Sequence, residues 1–156
     1  VLGAILDEVV HAANLRLQTM SRNRYSLERS DYTGGGRGKQ GLDLAVMDAF
    51  TGQSRPANTL SGGETFLASM ALALGLADVI QSYAGGIHMD TMFIDEGFGT
   101  LDPDTLELAM ETLVKLQSSG RLIGMISHVP ELKTRIPAHL EVTRGDDGST
   151  AKFVIN

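Results

Sequence analysis

The stretch from Phe66 to Ile80 is almost uninterrupted apolar sequence, broken only by Ser69, Gly75 and Asp78. A helix that is apolar on every side has to be wrapped by other elements. Residues 62–82 therefore predict a buried helix around which the rest must be arranged. No apolar run reaches the roughly 18 residues a membrane helix needs, and no signal-peptide pattern is present. With 156 residues, 42% of them hydrophobic and 21% charged, the chain has the size and make-up of one ordinary globular domain. It has no cysteine, which excludes disulfides and thiolate metal sites and is compatible with a reducing cytoplasm.

The flanking sequence supplies the wrapping. Leu2, Ile5, Leu6, Val9, Ala13, Leu17 and Met20 fall near an i, i+3/i+4 stripe and predict an amphipathic helix over 1–20. It begins inside its own periodic pattern, which suggests continuation of something longer. Residues 24–30 and 42–48 read as strands joined by the glycine-rich stretch 34–38 as a hairpin. Thr91 to Ile94 is a short apolar strand, and Leu122 to Ile126 a buried one. Residues 103–118 are a second amphipathic helix, with Asp102 and Pro103 suited to its start. Residues 139–144 and 150–155 predict a closing hairpin. Helices alternating with short apolar strands argue an α/β fold with parallel strand pairs.

Charge is uneven. Residues 1–59 hold seven Lys/Arg against six Asp/Glu, and residues 60–156 hold six against thirteen. Arg16, Arg22, Arg24, Arg29, Arg37 and Lys39 are interspersed with only Glu28 and Asp31. Such a patch either grips phosphate backbone or is a solvated face. Residues 33–40 come near the phosphate-loop pattern G-x-x-x-x-G-K-[ST]. Thr33 and Gln40 break it at both ends, and a strand-like alternation follows where a helix is required.

Three strand or helix ends carry groups with chemical potential. Leu60-Ser61-Gly62-Gly63-Glu64 opens the apolar helix. A serine and two glycines there leave backbone N–H groups facing outward for an anion. The same residues also read as an N-cap with a capping box at Glu64. Asp95 and Glu96 follow an apolar strand, at the end where α/β sheets bind ligands. Asp95 suits Mg²⁺ held through water, and Glu96 suits activation of a water attacking a γ-phosphate. A plain surface loop is the alternative. Asp102 is a helix cap on its own evidence. Ser127-His128 ends the next strand, where His128 is either structural or a hydrogen-bond donor to phosphate.

The order LSGGE, strand ending in DE, LD, strand ending in SH resembles that of the ABC-type ATPases. More narrowly, TLSGGETFLASMALALGLADVI, FIDEGFGTLD and ISHVPEL resemble the C-terminal lobe of the SbcC family, from about Tyr25 to the end. These are the ATPases of SbcC–SbcD double-strand-break repair nucleases. Transporter ATPases usually follow DE with Pro-Thr, whereas Gly97-Phe98-Gly99 stands here.

The resemblance implies a fold, an α/β C-terminal lobe of an ABC-type (P-loop NTPase-like) head with a mixed, mostly parallel sheet and flanking helices. Residues 1–20 would be the root of a coiled-coil arm and 21–156 the ATPase lobe. Ser61, Gly62, Gly63 and Glu64 match the signature motif, which meets the γ-phosphate of ATP held by the opposite subunit. Asp95 matches the Walker B magnesium residue, Glu96 the catalytic base, Asp102 the D-loop and His128 the switch histidine. ATP and Mg²⁺ are the implied cofactors. The implied partners are an N-terminal ATPase lobe of the same protein, a second head, an SbcD-type nuclease and DNA. The location is the bacterial cytoplasm, at the nucleoid, with no membrane. The phosphate loop, Q-loop and cysteine hook of the family fall outside these residues, so the isolated chain is expected to be inactive. An SMC-type chromosome-organising head lobe, or a non-hydrolysing scaffold lobe, would have the same motif order.

Overall fold

The computed structural model describes residues 2–30, 44–85 and 89–155. Helix α1 (Leu2–Met20) leads into an antiparallel meander of β1 (Tyr25–Arg29), β2 (Leu44–Asp48) and β3 (Gln53–Pro56). Helix α2 (Gly62–Tyr83) follows, then β4 (Thr91–Asp95), α3 (Pro103–Ser118) and β5 (Leu122–Ile126), with β4 and β5 parallel. A short α4 (Pro130–Arg135) precedes the hairpin of β6 (Ala138–Gly145) and β7 (Gly148–Ile155).

The apolar stretch does become the core. Leu67, Ala68, Met70, Ala71 and Leu74 of α2 are buried against Ala13, Leu17 and Met20 of α1 and Ala109, Met110 and Leu113 of α3. The two long helices touch closely at one point. A Cβ on Gly75 would lie 2.7 Å from both Ala13 N and Val9 O, so only glycine fits the crossing. By length and mean hydropathy of 1.5, α2 could cross a membrane. Its buried residues are instead the centre of a packed core, although Leu76, Ile80 and Tyr83 leave one stripe exposed.

Two expectations need correction. Among the described residues the strands form three separate sheets, and three of the four pairings are antiparallel, so the pairing is mixed and not mostly parallel. The reason is local: β2 and β3, and β6 and β7, are joined by short turns, whereas β4 and β5 are separated by the crossover helix α3. Nor is β5 buried on both faces. Met92, Ile94, Ile123 and Met125 face the core, while Phe93, Leu122 and Ile126 on the opposite face are exposed. Strand β3 and helix α4 are additions to the elements the sequence pattern predicts. The glycine-rich loop of the first hairpin, with Arg37, Lys39 and the near-phosphate-loop stretch 33–40, lies outside the described residues.

Candidate functional site

Ser61 caps α2 in extended conformation. Its hydroxyl accepts a hydrogen bond from Glu64 N (3.3 Å), and the Glu64 carboxylate accepts one from Ser61 N (2.8 Å), a complete capping box. The Glu64 carboxylate also accepts from Tyr25 Oη at 2.6 Å and from Arg55 at 3.2 Å. Burial works to raise the Glu64 carboxyl, but hydrogen bonds from Tyr25 and Ser61 and the Arg55 charge hold it below its ordinary value. Burial, followed by the bond to Glu64, pushes the Tyr25 hydroxyl up to about 12. Glu64 thus binds the turn to β1 and β3, and it also lines the cleft beside Ser61, Gly62 and Gly63. The backbone N–H groups of Gly62 and Gly63 have no hydrogen-bond partner among the described residues.

The turn opens onto a cleft of about 640 Å³ that is also lined by Thr100, Leu101, Asp102, Arg22 and Arg24. A Cβ on Gly63 would stand 3.0 Å from Thr100 O, so the glycine lets the segment before α3 lie against the turn. Asp102 caps α3, accepting from Thr105 N (3.0 Å) and Thr105 Oγ1 (2.6 Å). Those bonds hold its carboxyl below the usual range.

Asp95, Glu96 and His128 form a second cluster. The parallel register pairs Asp95 with Ile126, so both strands end at the same level. Glu96 N donates to Ile126 O at 2.8 Å. Glu96 itself is left-handed, with φ of 59°, a conformation that turns its side chain out of the strand line. Its carboxylate reaches His128 Nδ1 at 2.9 Å, with both side chains open to solvent. Gly97 follows at φ of 95°, and a Cβ there would fall 2.2 Å from the Phe66 ring. Phe66 in turn meets Phe98 edge-on at 4.9 Å. The turn carrying Glu96 is thereby seated on the first apolar residue of α2. Sequence reasoning does not mark Gly97 and Phe66 as site residues; a glycine directly after paired acids is the signal that points to the first.

No group of three His, Asp or Glu residues forms a metal cage among the described residues. The donor set still fits Mg²⁺, which binds through one or two carboxylates plus substrate phosphates rather than an all-protein cage. Asp95 is an exposed carboxylate at such a strand end.

Among the described residues, three of the four arginines of the basic stretch are neutralised by partners distant in sequence. Arg16 pairs with Asp78, Arg24 with buried Asp48, and Arg29 with Asp7. Arg22 makes only a long, exposed contact of 3.6 Å with Asp104.

A sheet-and-helix lobe with a glycine turn, paired acids and a facing histidine at strand ends has the α/β architecture of an SMC-type head lobe. Residues 24–115 match the family model described as SbcC/RAD50-like, Walker B motif, and the chain belongs to this family. It is 53% identical over 154 residues to the SbcC subunit of the SbcCD nuclease of Vibrio cholerae, covering 99% of this chain and 15% of that protein. The SbcC subunit of Staphylococcus haemolyticus is 53% identical over 156 residues, covering 100% and 15%. The chain therefore spans about one-seventh of the length of these relatives. Among solved structures, the Smc head domain with a coiled coil and joint from Pyrococcus yayanosii superposes with a TM-score of 0.70 at 16% identity. The match covers 94% of this chain and 26% of that one, and it shows a common fold.

Proposed function

We propose that the chain is the C-terminal half-site of an ATP-hydrolysing head that works with a nuclease on DNA double-strand breaks and hairpin ends. The observation that carries this reading is the 2.9 Å contact between Glu96 and His128, beside Asp95 at the ends of two parallel strands. The name of the relatives, which makes them part of a nuclease, supports it. Residues 1–20 are the arm root and 21–156 the lobe. An N-terminal lobe of the same protein extends β4 and β5 into a larger, mostly parallel sheet and brings the phosphate loop these residues lack. The protein resides in the cytoplasm.

The geometry supports the following roles. Asp95 would hold Mg²⁺, which when bound would supply neutralisation of charge on the phosphates. Glu96 accepts a proton from the attacking water, and His128, hydrogen-bonded to it, fixes its orientation and faces the γ-phosphate. The free N–H groups of Gly62 and Gly63, with the Ser61 hydroxyl, meet a phosphate presented by a second head, and Asp102 lines the seam. Glu64 serves by fixing this turn. ATP thereby joins two heads, and hydrolysis parts them.

In the complete head, Glu96→Gln is expected to lower turnover by roughly 10²–10⁴-fold and accumulate an ATP-bound dimer. Ser61→Arg should block dimerisation while nucleotide binding persists. Sizing and turnover assays check both, and unchanged turnover in Glu96→Gln rejects the role of Glu96. The likeness to Smc heads favours a chromosome-organising head as the second reading. Copurification with a nuclease rather than a ring-closing subunit decides between them.

A further inference from the structure

Behind the site, three elements meet at one carboxylate. Asp78, near the end of α2, accepts from Arg16 of α1 at 2.5 Å and from Arg121 at 2.9 Å, immediately before β5. Arg121 also donates to Gln81 at 2.5 Å. These contacts join residues 62, 43 and 40 positions apart. They tie α1 to the helix that Ser61 caps and to the strand that ends at Ile126, two residues before His128.

We infer that Asp78 is a positioning residue that clasps α1 to the ATP site, with Arg16 as its releasable member. The inference rests on the half-site reading above. Four features support it. First, two guanidinium groups share one carboxylate, so Asp78 stays paired through Arg121 when Arg16 leaves. Asp78 is itself 32% exposed, so losing one of its two partners costs much less than losing both. Second, Arg16 and Arg121 are largely covered, at 18% and 15% side-chain exposure, so the pairing is less screened by solvent than a surface contact.

Third, the clasp straddles the crossing of α1 and α2, which run antiparallel with Tyr83 bonded to Glu8. Gly75 meets Val9 and Ala13 there, and Asp78 and Arg16 lie three residues from Gly75 and Ala13 on opposite sides of the contact. With glycine at the contact no side chain interlocks the helices, and the ion pair across it fixes their setting. Fourth, Arg16, Asp78 and Arg121 border a cleft of about 460 Å³ with Lys115, which leaves Arg16 room to swing outward. Lys115 is a third cation lining the same cleft, and Arg121 Nη1 is buried without a partner among the described residues. The cationic excess opposes loss of Asp78 but tolerates loss of Arg16.

In this arrangement, movement of α1 reaches β5 and His128 through one acid, and nucleotide at the strand ends is felt at α1. The test uses the full-length protein assembled with its nuclease, comparing unaltered, Arg16→Gln, Arg16→Lys and Asp78→Asn forms. Two ratios are read: ATP turnover with and without linear duplex DNA, and amide exchange of residues 10–20 with and without ATP. Arg16→Gln is expected to keep basal turnover within about twofold and to lower the DNA stimulation ratio at least threefold. It should also lose the ATP-dependent change in α1 exchange. Arg16→Lys should keep most of both responses, because the charge remains. Asp78→Asn should lose both and also lower the unfolding temperature. Arg16→Gln with unchanged ratios overturns the clasp, whatever Asp78→Asn does. Absence of ATP turnover in the unaltered assembly instead overturns the half-site reading, and the clasp falls with it.

Discussion

Gly97 is under two independent constraints: a left-handed backbone and a phenylalanine ring where a side chain would begin. Gly52 has a similar φ of 67°, yet nothing lies within 4 Å of its missing Cβ. The pair separates strain from packing. Gly52→Ala is expected to cost about 1–2 kcal/mol from backbone strain alone. Gly97→Ala should cost about 1–3 kcal/mol more, because the Phe66 ring or the Glu96 turn must move. Denaturant midpoints of the two variants check this, and equal losses would remove Phe66 from the explanation. A second residue-scale expectation concerns Tyr25. Its folded pKa is raised from 10.0 to about 12, so its contribution is complete below pH 10 and is lost as pH climbs toward 12. Tyr25→Phe should flatten this alkaline decline in unfolding temperature, leaving the part due to Tyr83, whose hydroxyl bonds Glu8. At this scale the capping box is legible in the sequence, because Ser61 and Glu64 are three apart on one turn. Tyr25 and Arg55 are not, since they reach Glu64 from 39 and 9 residues away through tertiary folding alone.

Elements are legible where periodicity or capping marks them. Helix α3 runs from Pro103 to Ser118 behind its Asp102 cap, as its pattern requires, and β5 has the expected bounds. Strand β3 is not, because Gln53–Pro56 has no apolar alternation and ends in proline, as an edge strand can. Helix α4 has six residues, too few for a periodic signal. The packing of α1 on α2 is hidden for another reason: a glycine inside an apolar run looks like a weak point in a helix. It is instead the contact that brings the helices together. Gly75→Ala is expected to destabilise by about 1–3 kcal/mol, against a gain near 1 kcal/mol from helix propensity alone. The sign of the change in unfolding free energy therefore tests the crossing directly, and a stabilised variant would show that the helices have room to separate.

Viewed as a whole molecule, the lobe is folded on one side and open on another. Leu140 and Val142 of β6 pair with Phe153 and Ala151 of β7, and Ala138 pairs with Ile155, placing all of them on one exposed face. Phe93, Leu122 and Ile126 add an exposed face on β4–β5. The apolar strands predict a sheet covered on both sides, which is why β5 reads as buried: composition records the final environment, whatever covers it. Contiguous apolar surface of this kind marks a contact site. Under the proposed reading its cover is the N-terminal lobe, so the open face and the missing phosphate loop have one remedy. Leu140→Lys with Phe153→Lys should leave the helical core intact, since neither residue enters it, and should weaken association with a separately expressed N-terminal lobe by at least tenfold. ATP turnover restored by mixing the two lobes should fall in step at sub-saturating lobe concentration and recover as the concentration rises. A double variant that binds the lobe as tightly as the unaltered chain would place the hairpin face away from the lobe contact, leaving β4–β5 to make it alone.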